Sequence, residues 1–262
     1  MPVFYDQMNK AVHVQQTPKR IISVVPSQTE LLFDLGLDER VVGVTKFCIH
    51  PADKVKRIAK TGGTKQLNIE AIHNLQPDLI IANKEENEQR QIEELMKHYP
   101  VWISDIHNLP TALDMITKVG EITGAESKTG ELVDKIANNF QSLLPAQPKL
   151  RTMYLIWRKP YMVAGNHTFI DSMLQLCGFE NVIQTGRYPE LCADEIIALS
   201  PDVLLLSSEP YPFAQKHIDE FKQMLPGAKI ELVDGELFSW YGSRLLHSPG
   251  YFNKLINKLT AK

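Results

Sequence analysis

The sequence predicts an α/β fold of two similar lobes, each built on a parallel sheet and joined by a long helix. Three observations carry this. Short apolar, β-branched runs alternate with helical segments in both halves of the chain. Between Pro110 and Leu144 the strand signal stops and apolar residues recur at helical spacing. Finally, residues 70–81 (EAIHNLQPDLII) align without gaps on residues 194–205 (DEIIALSPDVLL), so one unit is used twice.

Taken in order, Arg20–Pro26 is the first strand. Ser27 and Glu30 form a capping box for a helix through Leu31–Leu35 that Gly36 ends. Val41–Thr45 completes a βαβ unit. A helix over Ile69–Leu75, a strand at Leu79–Asn83, a helix over Glu85–Lys97 and a strand at Val101–Ser104 finish an N-terminal lobe of residues 1–108. Leu113, Ile116, Val119 and Ile122 mark a lobe helix. Beyond Gly124, Leu132, Ile136, Phe140 and Leu143 mark a longer connecting helix over 126–144, stopped by Pro145 and Pro148. These two helices make a segment 109–147, and a C-terminal lobe of 148–262 follows. It reads as strands at Thr152–Trp157 and Tyr161–Ala164, a helix Phe169–Cys177 and a strand Asn181–Ile183. A helix Asp194–Leu199, strands Val203–Ser207 and Lys229–Val233, and a helix Ser243–Leu259 complete it.

Composition excludes several function classes. The 28 Lys+Arg against 31 Asp+Glu leave a net −3, so no basic excess drives nucleic-acid or anionic-membrane binding. Cys48, Cys177 and Cys192 are odd in number and lack a C-x-x-C, which argues against a disulfide framework or closed zinc site. Met1–Arg20 has no apolar h-region, and no stretch has the length of a membrane span, so the sequence as written is expected to be cytoplasmic. No phosphate loop, G-x-G-x-x-G, G-x-S-x-G or H-E-x-x-H occurs, which leaves no catalytic residue and no metal set to name. Cys48 and His50, two apart in a loop, could supply two metal ligands, and His167 and His247 are the histidines that folding would have to add.

Ligands of open α/β sheets bind outside the carboxyl ends of the strands. The segments there are rich in aromatic and charged residues: 46–51, 83–87, 157–161, 207–213 and 234–244. Phe47, Trp157, Tyr161, Tyr188, Trp240 and Tyr241 are the expected aromatic walls for a large, flat or anionic ligand. Lys65, Arg158 and Arg244 are the expected partners of ligand carboxylates or phosphates. Asn83, Glu86 and Glu209 also lie at strand ends, and His50 is placed to complete a ligand metal's shell. Glu70 and Asp194 occupy equivalent first-turn positions of the repeat. A helix dipole stabilises an acid there, and a matched pair of exposed acids also suits docking to a two-fold, basic partner.

The order strand, Pro-Ser-x-Thr-Glu, helix, then "GV…HP", "GGTK…N-x-E-x-I…L-x-P-D-L-I-I-A-N", a linking helix and "L-x-P-D-V-L-L-L" resembles a known family. It is that of the cobalamin- and iron-siderophore-binding proteins of ABC importers, the helical-backbone or class III periplasmic binding proteins. Residues 85–87, 207–213 and 239–244 are similar to a subgroup whose members often lack a signal peptide. The resemblance implies two Rossmann-like lobes, also found in chelatases, with a metal chelate held in the cleft between them. It implies one acid per lobe, here Glu70 and Asp194, that pairs with arginines of a permease dimer. It also implies a periplasmic or lipid-anchored monomer with no cofactor of its own, the metal arriving within the chelate. Two alternatives stay open. One is a two-lobed enzyme, a chelatase or sugar-nucleotide transferase using Glu85, Glu86 and Glu209 as acid/base groups. The other is an intracellular metal-chelate sensor.

Overall fold

The computed structural model describes residues 2–261, and they divide into two compact units. Unit 1 comprises residues 1–106, 110–136 and 241–244; unit 2 comprises 107–109, 137–240 and 245–262. Among the described residues no helix is long and apolar enough to cross a membrane.

Unit 1 opens with an antiparallel hairpin, β1 (Val3–Tyr5) and β2 (Ala11–His13). Then come β3 (Ile21–Ser23), α1 (Pro26–Asp34), β4 (Val41–Val44), α2 (Ala52–Val55) and β5 (Ala59–Lys60). α3 (Ile69–Leu75), β6 (Leu79–Asn83), α4 (Gln89–Met96), β7 (Val101–Ser104) and α5 (Leu109–Thr123) follow. Its five-stranded sheet has the order β5-β4-β3-β6-β7 and is parallel throughout. α6 (Glu126–Gln141) contains the division between the units, after Ile136.

Unit 2 contains β8 (Leu150–Trp157), β9 (Tyr161–Val163), α7 (Phe169–Leu176), β10 (Phe179–Asn181), β11 (Glu190–Leu191) and α8 (Ala193–Leu199). β12 (Val203–Ser207), α9 (Gln215–Met224), β13 (Lys229–Val233), α10 (Gly235–Ser239) and α11 (Ser248–Thr260) complete it. β8, β12 and β13 run parallel, as does β10 beside β8, while β9 and β11 form an antiparallel margin. The central strands are apolar on both faces, as sheets covered by helices on both sides require: Leu79–Ala82 and Val203–Leu206 are all buried.

The repeat is a structural lock. In unit 1 the Asp78 carboxylate accepts the backbone N–H groups of Lys19 and Arg20 (2.7 and 2.8 Å). The Arg20 guanidinium in turn donates to the Leu75 and Gln76 carbonyls that end α3. In unit 2 Asp202 accepts the N–H of Arg151 (3.0 Å), whose guanidinium donates to the Leu199 and Ser200 carbonyls that end α8. Gln76 and Ser200 both adopt left-handed backbone (φ 45° and 43°). The aspartate after each proline thus anchors the backbone of an arginine whose guanidinium satisfies two carbonyls at the helix end.

Some expected boundaries shift. The capping box at Ser27 and Glu30 does not form. Pro26 occupies the first helical position, where its fixed φ and missing N–H suit the helix, and Val25 becomes the cap. The helix expected from Glu85 begins only at Gln89, because the Asn83 side chain holds the N–H groups of Glu85 and Glu86 (2.8 and 3.0 Å) in a turn. The 126–144 helix stops at Gln141 and is one residue longer than α5. The expected strand Asn181–Ile183 lies instead at Phe179–Asn181. Ser243–Leu246 is a 3-10 turn, and the last helix starts at Ser248–Pro249. The N-terminal hairpin, α2, β5, β11, α9 and α10 lie outside the sequence reading. The hairpin is fastened by Gln7, whose amide donates to the Thr111 carbonyl and to Asp114 and whose carbonyl accepts from Asp105 N–H.

Candidate functional site

In unit 1 the connections after β3 and β6 leave toward opposite sides of the sheet, so a crevice opens at their carboxyl ends. Three of the four residues Tyr241–Arg244, from far along the chain, are fastened to this unit, with Ser243 Oγ donating to Asp34 at the end of α1. The Arg244 guanidinium forks onto both oxygens of Glu30 on α1 (2.9 and 2.5 Å), and each side chain is 15% exposed. Burial pushes the Glu30 carboxyl above the usual carboxylate range, against the opposing pull of Arg244 and His50. The Tyr241 hydroxyl donates to Glu86. Gly242 lies so near α1 that a Cβ would stand 2.8 Å from the Ser27 carbonyl. At the same sheet edge Phe47 is 52% exposed, with the Lys46 ammonium 5.1 Å from its ring centre.

In unit 2 the corresponding reversal lies between β8 and β12. The β8–β9 turn presents Trp157, 39% exposed, edge-on to Tyr211 at 5.6 Å between ring centres. Arg158 donates twice to Glu220 Oε2 (3.0 and 2.8 Å), and Tyr161 donates to Glu220 Oε1. Tyr211 also packs on Phe213 and on His217, whose Nδ1 accepts the Ala214 N–H. Burial lowers the pKa of that imidazole and favours its neutral form. After β12, Glu209 Oε1 accepts from Ser239 Oγ (2.8 Å) and Trp240 Nε1 (2.9 Å). Burial raises the Glu209 carboxyl, and Glu236 and Asp234 add to it.

The structure gathers Trp157, Arg158 and Tyr161 into one cluster, Glu209 and Trp240 into a second, and Glu86 with Tyr241 into a third. Tyr188 is half-buried in the loop before β11. Asn83 is buried and spends its side chain on the Glu85–Glu86 turn and on Ser104. The three expected anion-binding cations are all engaged within the protein. Besides Arg158 and Arg244, Lys65 donates to the Glu85 carbonyl at 2.5 Å. In the Cys48–His50 pair, Cys48 is buried between the hydroxyls of Thr29 and Thr45, both 3.2 Å from Sγ. Burial also raises the Cys48 thiol pKa. Among the described residues no group of three or more His, Cys, Asp or Glu could hold a metal ion. Glu70 and Asp194 are both exposed, at the second position of α3 and α8. Glu30, Glu220 and Tyr211 escaped sequence reasoning. Only Tyr211 carried a usable signal, its place in a strand-end loop.

A family model described as periplasmic binding protein matches residues 21–229, well over half of the sequence. The chain belongs to this family. An uncharacterised ABC transporter substrate-binding lipoprotein of Bacillus subtilis is 26% identical over 261 residues, covering 92% of this chain and 81% of that one. A vitamin B12-binding protein of Yersinia pestis is 27% identical over 203 residues, 73% of this chain and 70% of that one. Among solved structures, the periplasmic haem-binding protein BhuT in complex with two haems aligns over 93% of this chain and 99% of its own. It has a TM-score of 0.81 at 23% identity, which shows the class III fold. Periplasmic binding proteins of this type are binding components of ABC transporters, so the enzymatic alternative falls.

Proposed function

We propose that the chain is the substrate-binding component of an ABC importer and holds a metal chelate of the iron-siderophore, haem-like or corrinoid class. The family match over residues 21–229, with a vitamin B12-binding relative, carries this reading. Each unit has strand-end aromatic surface of the kind such a ligand needs, Phe47 in unit 1 and Trp157 in unit 2, both exposed, whereas Trp240 and Tyr241 are buried against Glu209 and Glu86. The metal arrives inside its chelate, and no cofactor of the protein's own takes part. The protein acts as a monomer, and Glu70 and Asp194 dock it on a permease dimer through matched acids.

A thermal-shift screen against ferric siderophores, haem, cobinamide and cobalamin tests the binding reading, since a ligand of the folded state raises Tm by mass action. Absence of a shift with every member overturns it. Docking is tested by Glu70→Lys with Asp194→Lys, which should abolish a permease pull-down while leaving chelate affinity unchanged. Retention of the pull-down would place the permease contact elsewhere.

A further inference from the structure

We propose that the chelate carries hydrogen-bond donors or positive charge at its periphery rather than carboxylates, and that Glu209 selects it. The inference rests on the chelate-binding reading and narrows it. A ligand carboxylate is held best by a guanidinium fork, and both strand-end arginines are committed, leaving the exposed ammonium groups of Lys46, over the Phe47 ring, and Lys65, on the Glu85 carbonyl. Arg244 is forked to Glu30 and Arg158 to Glu220, with Tyr161 on the remaining Glu220 oxygen. Taking either arginine away leaves a poorly solvated carboxylate unpaired, which offsets what the new ion pair would gain.

Glu209 has the opposite character. Both of its hydrogen bonds fall on Oε1, from Ser239 and Trp240, and among the described residues Oε2 accepts none. Among the described residues no cation forms an ion pair with it, and the charges acting on it most strongly, Glu236 and Asp234, are acids. Its position is fixed from below. Ser207 Oγ donates to the Glu209 carbonyl (2.5 Å) and itself accepts from the Tyr154 hydroxyl (3.2 Å). Gly235 packs against it, where a Cβ would stand 2.7 Å from Glu209 Cγ. A fixed acceptor with a free oxygen, beside an indole and at a strand's carboxyl end, suits a ligand ammonium or amide N–H.

The test uses three ferric trihydroxamates with one core and different tails: a free ammonium, its N-acetyl form and its N-succinyl form. Their affinities for the full chain are measured at pH 7.5 by calorimetry, with haemin and cobinamide alongside. A charge-assisted hydrogen bond makes the ammonium form bind about tenfold tighter than the acetyl form, and the succinyl form binds weakest. Glu209→Gln, which keeps the Oε1 acceptor, brings the ammonium-to-acetyl ratio to about one and moves the acetyl form less than about threefold. Unchanged Tm of the unliganded variant establishes that it is folded. The inference is overturned if the succinyl form binds as tightly as the ammonium form, if the preference survives in Glu209→Gln, or if haemin is preferred to cobinamide. Binding of none of the five ligands instead sinks the chelate-binding reading, and this inference with it.

Discussion

Arg244→Ala asks whether this arginine supports unit 1 or waits for a ligand. In the native chain its guanidinium spans both oxygens of Glu30, and both side chains are 15% exposed. Burial already raises the Glu30 carboxyl above its ordinary 4.5, with Arg244 opposing and Asp34 adding. Removing the arginine leaves that carboxylate unpaired. Breaking a fully buried pair costs about 3–5 kcal/mol; residual solvent contact reduces this to about 2–3 kcal/mol at pH 8. The sign of the pH dependence follows. An acid whose folded pKa is raised contributes stability that is full below its unfolded value and lost as pH rises through the folded value. Without Arg244 the folded value rises further, so the variant gains more on acidification than the native chain does, and the deficit shrinks. Urea unfolding at pH 8 and pH 5.5 measures it. Glu30→Gln combined with Arg244→Ala should restore at least half of the loss at pH 8. A deficit equal at both pH values and undiminished in the double variant refutes the charge argument and assigns the loss to packing of the arginine stem.

Asp78→Ala removes the acceptor of two backbone N–H groups and should cost about 1–2 kcal/mol by urea unfolding; Asp202→Ala, exposed and holding one, should cost less. Gly165→Ala places a Cβ 2.0 Å from the Thr185 carbonyl and should cost more than about 2 kcal/mol. Gly130→Ala, in α6 with nothing within 4 Å, should stabilise by up to about 1 kcal/mol. A coloured thiol reagent should titrate only the exposed Cys192 in the folded chain. Cys48 and Cys177 are buried, with burial raising both thiols, and should react only on unfolding.

The strands and their order along the chain were legible because they are apolar on both faces, and Leu79–Asn83 and Val203–Ser207 match the sequence reading to the residue. The helix starts were less so. A capping box at Ser27 and a proline at residue 26 compete for one helix start, and composition does not rank them. The hairpin at 3–13 was missed because its strands are three residues long and pair only with each other. At the strand ends, loop position picks out aromatic residues but says nothing of the state of the cations. Arg244 and Glu30 are 214 residues apart, and Arg158 and Glu220 are 62 apart. Both glutamates sit in helices with no local mark of their role, so nothing in the sequence says that these arginines are already paired.

The repeat clarifies where recognition resides. Extended past its strands without gaps, it pairs Asn83 with Ser207 and Glu85 with Glu209. The first pair keeps one function in two chemistries: the Asn83 side chain accepts the Glu85 and Glu86 N–H groups, and Ser207 Oγ holds the Glu209 carbonyl. The second pair diverges. The Glu85 carbonyl is taken by Lys65, whereas the Glu209 side chain is clasped by Ser239 and Trp240 with one oxygen left over. Positions that repeat, such as Asp78 with Asp202 and Arg20 with Arg151, hold the framework, and a ligand needs no such symmetry. On the chelate-binding proposal, recognition falls to residues at which the repeat breaks, and Glu209, whose Oε2 accepts no hydrogen bond among the described residues, is one of them.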